Sequence, residues 1–387
     1  MSETAHIHAP PDRLSALLAS AGDGSGSVGL HFCDGRFISL GARWLRDHGD
    51  DVASLDADTL QRKTDTFAIP SDLSLVSYEL SQNGGRVDIV WSDDTTSGHD
   101  VTALRRLTTQ TPMVPMAMTV AESLVDASTV TWDQAGDISH AVPFASLATG
   151  GGSEMVQRVA ATGWAKLSDV PAGEDGVCQA IAPLGYVRHS IFGGVWTLSA
   201  EVDAHRDSAY ETTFLGPHTD GTYSHDAPGL QLFSCQERDG TGGASILVDG
   251  FAAVERLREV DEQAFVLLTQ VPIPGRYVEP GVSLQAERPA IRLNSGGQVV
   301  QVSFNNLDRA PFWLPDGLWD RFMVAYGLLR DLVCDESTWL RLPWKPGEVL
   351  VFDNWRLLHG RDAFTGSRRF LGCYSNHEDF ESAQRQS

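Results

Sequence analysis

The sequence predicts a mainly β protein with helices: a small β-rich N-terminal domain, then an antiparallel barrel or double-sheet jelly roll carrying helical inserts. Three observations predict this. Short strand-like segments separated by polar turns fill residues 28–107. Similar segments return after residue 150, now interrupted by longer stretches with apolar residues at helical spacing. The length of 387 residues, 42% of them hydrophobic, suits two domains with packed cores.

The elements follow in chain order. Residues 1–27 end in Gly22-Asp23-Gly24-Ser25-Gly26-Ser27 and read as a flexible lead-in. In residues 28–107, Arg36-Phe37-Ile38-Ser39-Leu40 and Arg86-Val87-Asp88-Ile89-Val90-Trp91 read as strands. Residues 108–150 hold Pro112, Pro115 and Pro143, a helical pattern over Ala117–Ala127 and the start of a glycine run, so they read as a connection. Residues 151–387 form the second domain. Helices are expected over Glu154–Thr162, over Asp249–Glu262 with Asp249 as N-cap, and over Asp316–Val333, where Trp319, Phe322, Met323, Tyr326, Leu329 and Leu332 recur at helical spacing. Strands are expected over Leu230–Cys235, Ala244–Val248, Gln298–Ser303 and Val349–Phe352.

With 29 Lys+Arg against 51 Asp+Glu, the net charge is −22. Nucleic acid and anionic membranes both demand a basic face, so neither is an expected partner. A small anionic substrate remains compatible, because a pocket can be locally positive. Cys33, Cys178, Cys235, Cys334 and Cys373 are scattered and odd in number, which points to a reducing compartment. The first residues lack an apolar signal region, and no apolar run reaches the roughly 18–20 residues of a spanning helix. The expected location is cytoplasmic.

Three features could carry chemistry. In His218-Thr219-Asp220, an extended backbone would turn the imidazole and the carboxylate to one side. His359 lies just beyond an apolar strand, in Asp353-Asn354-Trp355-Arg356-Leu357-Leu358-His359-Gly360-Arg361. Two histidines and one carboxylate with open positions make the facial set of non-haem Fe(II) oxygenases. Arg368 could present its planar fork to a dicarboxylate, and Ser245, after the turn Thr241-Gly242-Gly243, could add a hydroxyl. Each alone has a plainer reading: a turn hydrogen bond at Asp220, a structural His359, a solvated pair at Arg368 and Arg369, and a hairpin at Gly242-Gly243.

In this order, the motifs resemble the taurine-dioxygenase-like Fe(II)/2-oxoglutarate dioxygenases, and within them the γ-butyrobetaine and trimethyllysine dioxygenase family. The carrying residues are Gly216-Pro217-His218-Thr219-Asp220, Thr241-Gly242-Gly243 with Val248-Asp249-Gly250-Phe251, Phe304-Asn305-Asn306 and the block from Asp353 to Arg361. Trp44-Leu45-Arg46-Asp47 and Trp91-Ser92-Asp93 extend the likeness to the N-terminal domain.

The resemblance implies a double-stranded β-helix catalytic domain with His218, Asp220 and His359 as iron ligands and catalytic centre. It also implies Arg368 with Ser245 on 2-oxoglutarate, O2 as the second cosubstrate and ascorbate as a reductant. An aromatic cage for a trimethylammonium group falls on Phe192, Trp196, Tyr210 and Tyr374. Asn305 and Arg206 would meet the substrate's anionic end, and the guanidinium of Arg206 brings in 2-(trimethylammonio)ethylphosphonate beside γ-butyrobetaine. Trimethyllysine hydroxylation is the alternative within the family. A non-catalytic cupin-like metal-binding protein and a hydrolase using the two histidines are the alternatives outside it. A small zwitterionic substrate is the expected partner, with a homodimer formed through the extra domain. One departure stands out. The family's N-terminal cysteines are missing after Trp44-Leu45-Arg46-Asp47, where His48-Gly49-Asp50-Asp51 follows, so no structural zinc is expected.

Overall fold

The computed structural model describes residues 13–19, 26–109, 121, 123–132, 140–199, 212–315 and 317–387. The chain divides into two compact units, Met1–Val114 with Arg309–Met323, and Pro115–Asp308 with Val324–Ser387.

The first unit holds two three-stranded antiparallel sheets, Leu14–Ala19, Ser27–Phe32 and Phe37–Gly41 in one, Leu75–Ser81, Arg86–Trp91 and Thr96–Asp100 in the other. The strand Arg86–Trp91 alternates as a half-buried strand should, with Val87, Ile89 and Trp91 inside and Asp88 and Val90 outside. The short helix Ala42–Asp47 delivers Trp44 and Asp47 to the interior. The Asp47 carboxylate accepts hydrogen bonds from Arg309 at 2.7 Å and Thr66 at 2.6 Å, with Arg62 at 3.5 Å. Burial alone would raise its pKa, but these two guanidinium groups carry it well below the ordinary carboxylate range.

His48, the residue that stands where the cysteines were missed, stacks on Trp44 at 4.2 Å. Its Nδ1 donates to the Trp44 carbonyl at 2.8 Å, and its Nε2 accepts from the Phe312 N–H at 3.2 Å. Both ring nitrogens are thereby engaged. Burial, helped by Arg62 and Arg309, pushes its pKa down to about 3, so the ring is neutral.

The second unit is the expected double-sheet jelly roll. One sheet runs in the order Val142–Pro143, Trp164–Ser168, Val349–Asp353, Leu230–Gly242, Phe364–Ser375, Val195–Ser199. The other runs Leu215–His218, Leu357–Arg361, Ser245–Asp249, Leu340–Leu342. Period-two alternation splits each strand between two cores. Val349 and Val351 pack with Leu230, Leu232, Leu371 and the helices Gly151–Thr162, Glu174–Ile181 and His377–Gln384. Leu350 and Phe352 turn the other way and join Cys235, Leu247, Leu340, Leu357 and Phe370 between the sheets.

The helix expected over Asp249–Glu262 is present as Gly250–Val260 with Asp249 as its N-cap, and it stops at Asp261, whose side chain caps a further helix, Glu262–Gln270, at Ala264. The helix over Ala117–Ala127 falls partly outside the described residues, and its described part, 123–127, is not helical. There the Leu124 carbonyl accepts from Val299 N–H at 2.7 Å, and Gln298 donates to Val125 O at 3.4 Å, so the backbone serves a strand edge instead of its own turns.

Candidate metal centre

The register of the jelly roll aims the site. Leu357 belongs to the core between the sheets, so His359 and Arg361, two and four residues on, face the same interior. By the same count Phe370 brings Arg368, Gly372 and Tyr374 to that face, Cys235 brings Phe233 and Gln231, and Leu247 brings Ser245. His218 pairs directly with His359 across the strands Leu215–His218 and Leu357–Arg361.

His218, Asp220 and His359 each offer a ligand atom, all within 4.8 Å of one another, and they are the one such group of three among the described residues. Asp220 Oδ1 lies 3.4 Å from His218 Nε2 and 3.7 Å from His359 Nε2. His218 Nδ1 donates to the Gly216 carbonyl at 2.9 Å, which orients the ring with Nε2 on the Asp220 side. On the far side of Asp220, Oδ2 accepts from Tyr374 Oη at 2.7 Å and Gln231 Nε2 at 2.9 Å.

Burial would raise the Asp220 pKa, but the two imidazoles and the Tyr374 hydroxyl hold it well below the carboxylate range. Burial and the neighbouring His218 push His359 down to about 3. A neutral imidazole and an ionised carboxylate are the forms that bind metal. Two nitrogens and one hard oxygen, with nothing else of the described residues completing the set, fit Fe(II). Phe352 and Phe233 stand 4.9 and 6.3 Å from the His359 ring and keep it dry.

Arg368 extends along the same face between the rings of Phe364 and Phe370, 4.2 and 5.2 Å from its guanidinium carbon. Among the described residues its guanidinium makes no ion pair or hydrogen bond. Burial, with Arg361 and Arg238 nearby, pushes its pKa down to about 9. A half-buried cation in that state is matched by an anion such as a distal carboxylate. Ser245 pairs with Arg361 across the strands, and its hydroxyl accepts from Trp344 Nε1 at 3.0 Å.

Of the aromatic residues, Trp196 and Tyr374 meet edge to face at 5.2 Å. Trp196 lies across Gly372, where a Cβ would come within 1.4 Å of the indole, so only glycine fits. Phe192 packs instead against Tyr277 at 6.0 Å, and Tyr277 against Tyr223 at 5.0 Å. Asn305 Nδ2 donates to Asp308 Oδ2 at 2.8 Å. Arg206 and Tyr210 lie outside the described residues.

The sequence reading missed Gln231, Tyr277 and the role of Asn354. Gln231 carried a signal, since it is a polar residue flanked by Leu230 and Leu232 at the apolar start of its strand. Tyr277 carried none, because its two-stranded ribbon, Ile273–Glu279 with Val282–Arg288, contains none of the motifs.

The model of the taurine catabolism dioxygenase TauD, TfdA family matches residues 134–374. A trimethyllysine dioxygenase of Bos taurus is 30% identical over 88% of this chain and 81% of its own length. A trimethyllysine dioxygenase of Meyerozyma guilliermondii is 29% identical over 88% of both chains. A γ-butyrobetaine dioxygenase of a Pseudomonas species is 27% identical over 95% of this chain and 96% of its own. The chain belongs to the TauD/TfdA family and is an enzyme, an Fe(II)- and 2-oxoglutarate-dependent dioxygenase.

Proposed function

We propose that the enzyme hydroxylates a C–H bond of a small trimethylammonium compound that carries an anionic end. The observation that carries this reading is the convergence of His218, Asp220 and His359 on the face that also presents Arg368 and the Trp196–Tyr374 pair. The relatives named for trimethyllysine and for γ-butyrobetaine support the cation.

With iron bound, 2-oxoglutarate and O2 are converted to succinate and CO2 while one oxygen atom enters the substrate C–H as hydroxyl. The chain's own residues do the rest. His218, Asp220 and His359 would hold the ion, and Arg368 would bind the distal carboxylate of the cosubstrate with Ser245 beside it. Trp196 and Tyr374 offer ring faces to the trimethylammonium group, an attraction of about 0.5–2 kcal/mol per ring. Phe233 and Phe352 exclude water around His359.

Trimethyllysine, γ-butyrobetaine and 2-(trimethylammonio)ethylphosphonate share this cation and differ at the other end. Succinate release with each, side by side, separates them. Turnover of any one above the substrate-free background supports the trimethylammonium reading, and the best of the three names the anionic end. No stimulation by all three, in enzyme that binds Fe(II) and 2-oxoglutarate, overturns it.

A further inference from the structure

The two oxygens of Asp220 have different neighbours. Oδ1 faces both imidazoles, whereas Oδ2 takes the hydroxyl of Tyr374 and the amide of Gln231. Gln231 and Tyr374 are direct cross-strand partners in the pairing of Leu230–Gly242 with Phe364–Ser375, so one register fixes both donors. A carboxylate can only accept, so the Gln231 amide must turn its nitrogen to Asp220. Its oxygen is then buried with no hydrogen-bond partner among the described residues.

We propose that Tyr374 and Gln231 are positioning residues that reserve Oδ2, so that Asp220 serves the metal through Oδ1 alone. A carboxylate freed at Oδ2 can offer both oxygens to one ion and close a position that 2-oxoglutarate needs. The pair thus protects cosubstrate binding more than metal binding. Tyr374 acquires a second duty beside its ring: the residue that meets the substrate's cation also orients the metal's carboxylate. The inference rests on the Fe(II)/2-oxoglutarate chemistry of the site.

The test uses the full chain and its Gln231→Leu/Tyr374→Phe double variant. Anaerobic titration with Fe(II) alone gives the metal affinity, and a following titration with 2-oxoglutarate, read by the visible charge-transfer band, gives the cosubstrate affinity. Melting curves accompany both. The expected result is Fe(II) affinity within about threefold of the parent, because the freed oxygen can still serve the ion, with 2-oxoglutarate affinity weaker by about tenfold or more and a shifted band. Tyr374→Phe alone, with Gln231 retained, should fall between. An unchanged 2-oxoglutarate affinity and band in the double variant overturns the proposal. So does a parallel loss of metal affinity, cosubstrate affinity and melting temperature, which would mark a merely structural role. Absence of any band in the unmodified protein would instead overturn the iron reading itself.

Discussion

The side chain of Asn354 grips Asp220 at both ends of its backbone: Oδ1 accepts the Asp220 N–H at 2.8 Å, and Nδ2 donates to the Asp220 carbonyl at 3.1 Å. The same Nδ2 reaches Pro228 O at 2.9 Å, and the Asn354 N–H reaches Gly229 O at 2.8 Å, so one residue closes the loop from the metal carboxylate to the next strand. Replacing Asn354 by Ala strands these buried groups, each at about 1–3 kcal/mol. The variant should lose metal affinity by about 10–100-fold and melt earlier. Anaerobic Fe(II) titration and thermal melts read both, and full metal affinity would show that the loop holds itself.

Arg368 is expected to decide cosubstrate affinity and little else. Arg368→Gln removes the charge and the fork, which costs about 1.5–3 kcal/mol, or roughly 10–150-fold in 2-oxoglutarate binding. Arg368→Lys keeps the charge and should recover only part of that. Fe(II) affinity should stay within a factor of about two. If 2-oxoglutarate binds both variants as the parent, another cation performs this task.

At Gly372 a methyl group would drive the Trp196 indole off the strand. Gly372→Ala is expected to cost about 1–3 kcal/mol in stability, the usual range for overpacking. The KM for the trimethylammonium substrate should rise several-fold while 2-oxoglutarate affinity stays level. Steady-state kinetics with both substrates varied would reveal the split, and a KM that does not move would remove Trp196 from substrate recognition.

Stability of the first unit should fall with acid, in two stages of one sign. His48 has a folded pKa of about 3 against about 6.5 unfolded. Its contribution is therefore complete above the unfolded value and drains away as pH falls from about 6.5 towards 3. The depressed carboxyl of Asp47 adds a loss of the same sign below about pH 4. One proton taken up on unfolding gives a slope of about 1.4 kcal/mol per pH unit. His99, whose pKa burial pushes down to about 4 in the same unit, loses stability in the same window, so His48→Asn should remove about half of the slope of denaturant unfolding between pH 6.5 and 4; an unaltered slope would assign the titration elsewhere.

Much of this site was legible before any coordinates. Two of the three candidate ligands, His218 and His359, sit on strands, and Asp220 follows at a bend two residues past His218. In Leu357–Arg361 and Phe364–Ser375 the period of two fixes which residues share a face, so His359 and Arg368 could be read from spacing and their block. The helices were less legible at their ends. The helix Gly250–Val260 stops at Asp261, a residue type favoured at N-caps, which caps Ala264 of the next helix. The aromatic wall was half legible. Trp196 and Tyr374 meet through strand pairing with Gly372, while Phe192 finds Tyr277, whose ribbon is a tertiary neighbour with no sequence mark. Asn305 was read as facing an anion, and its amide nitrogen donates to Asp308.

The pairing of His218 with His359 has a mechanical consequence. Leu215–His218 is the outermost strand of its sheet and touches its neighbour in register only at Leu215 and His218, with an irregularity between them. An ion gripped by both imidazoles is therefore also a rivet at the fraying edge of the sheet. Loading the enzyme and mending that edge are one equilibrium, deepening as RT ln(1 + [L]/Kd) with free metal. Backbone amide exchange across Leu215–His218 should slow in step with Fe(II) occupancy, giving a readout of the loaded state that needs no substrate.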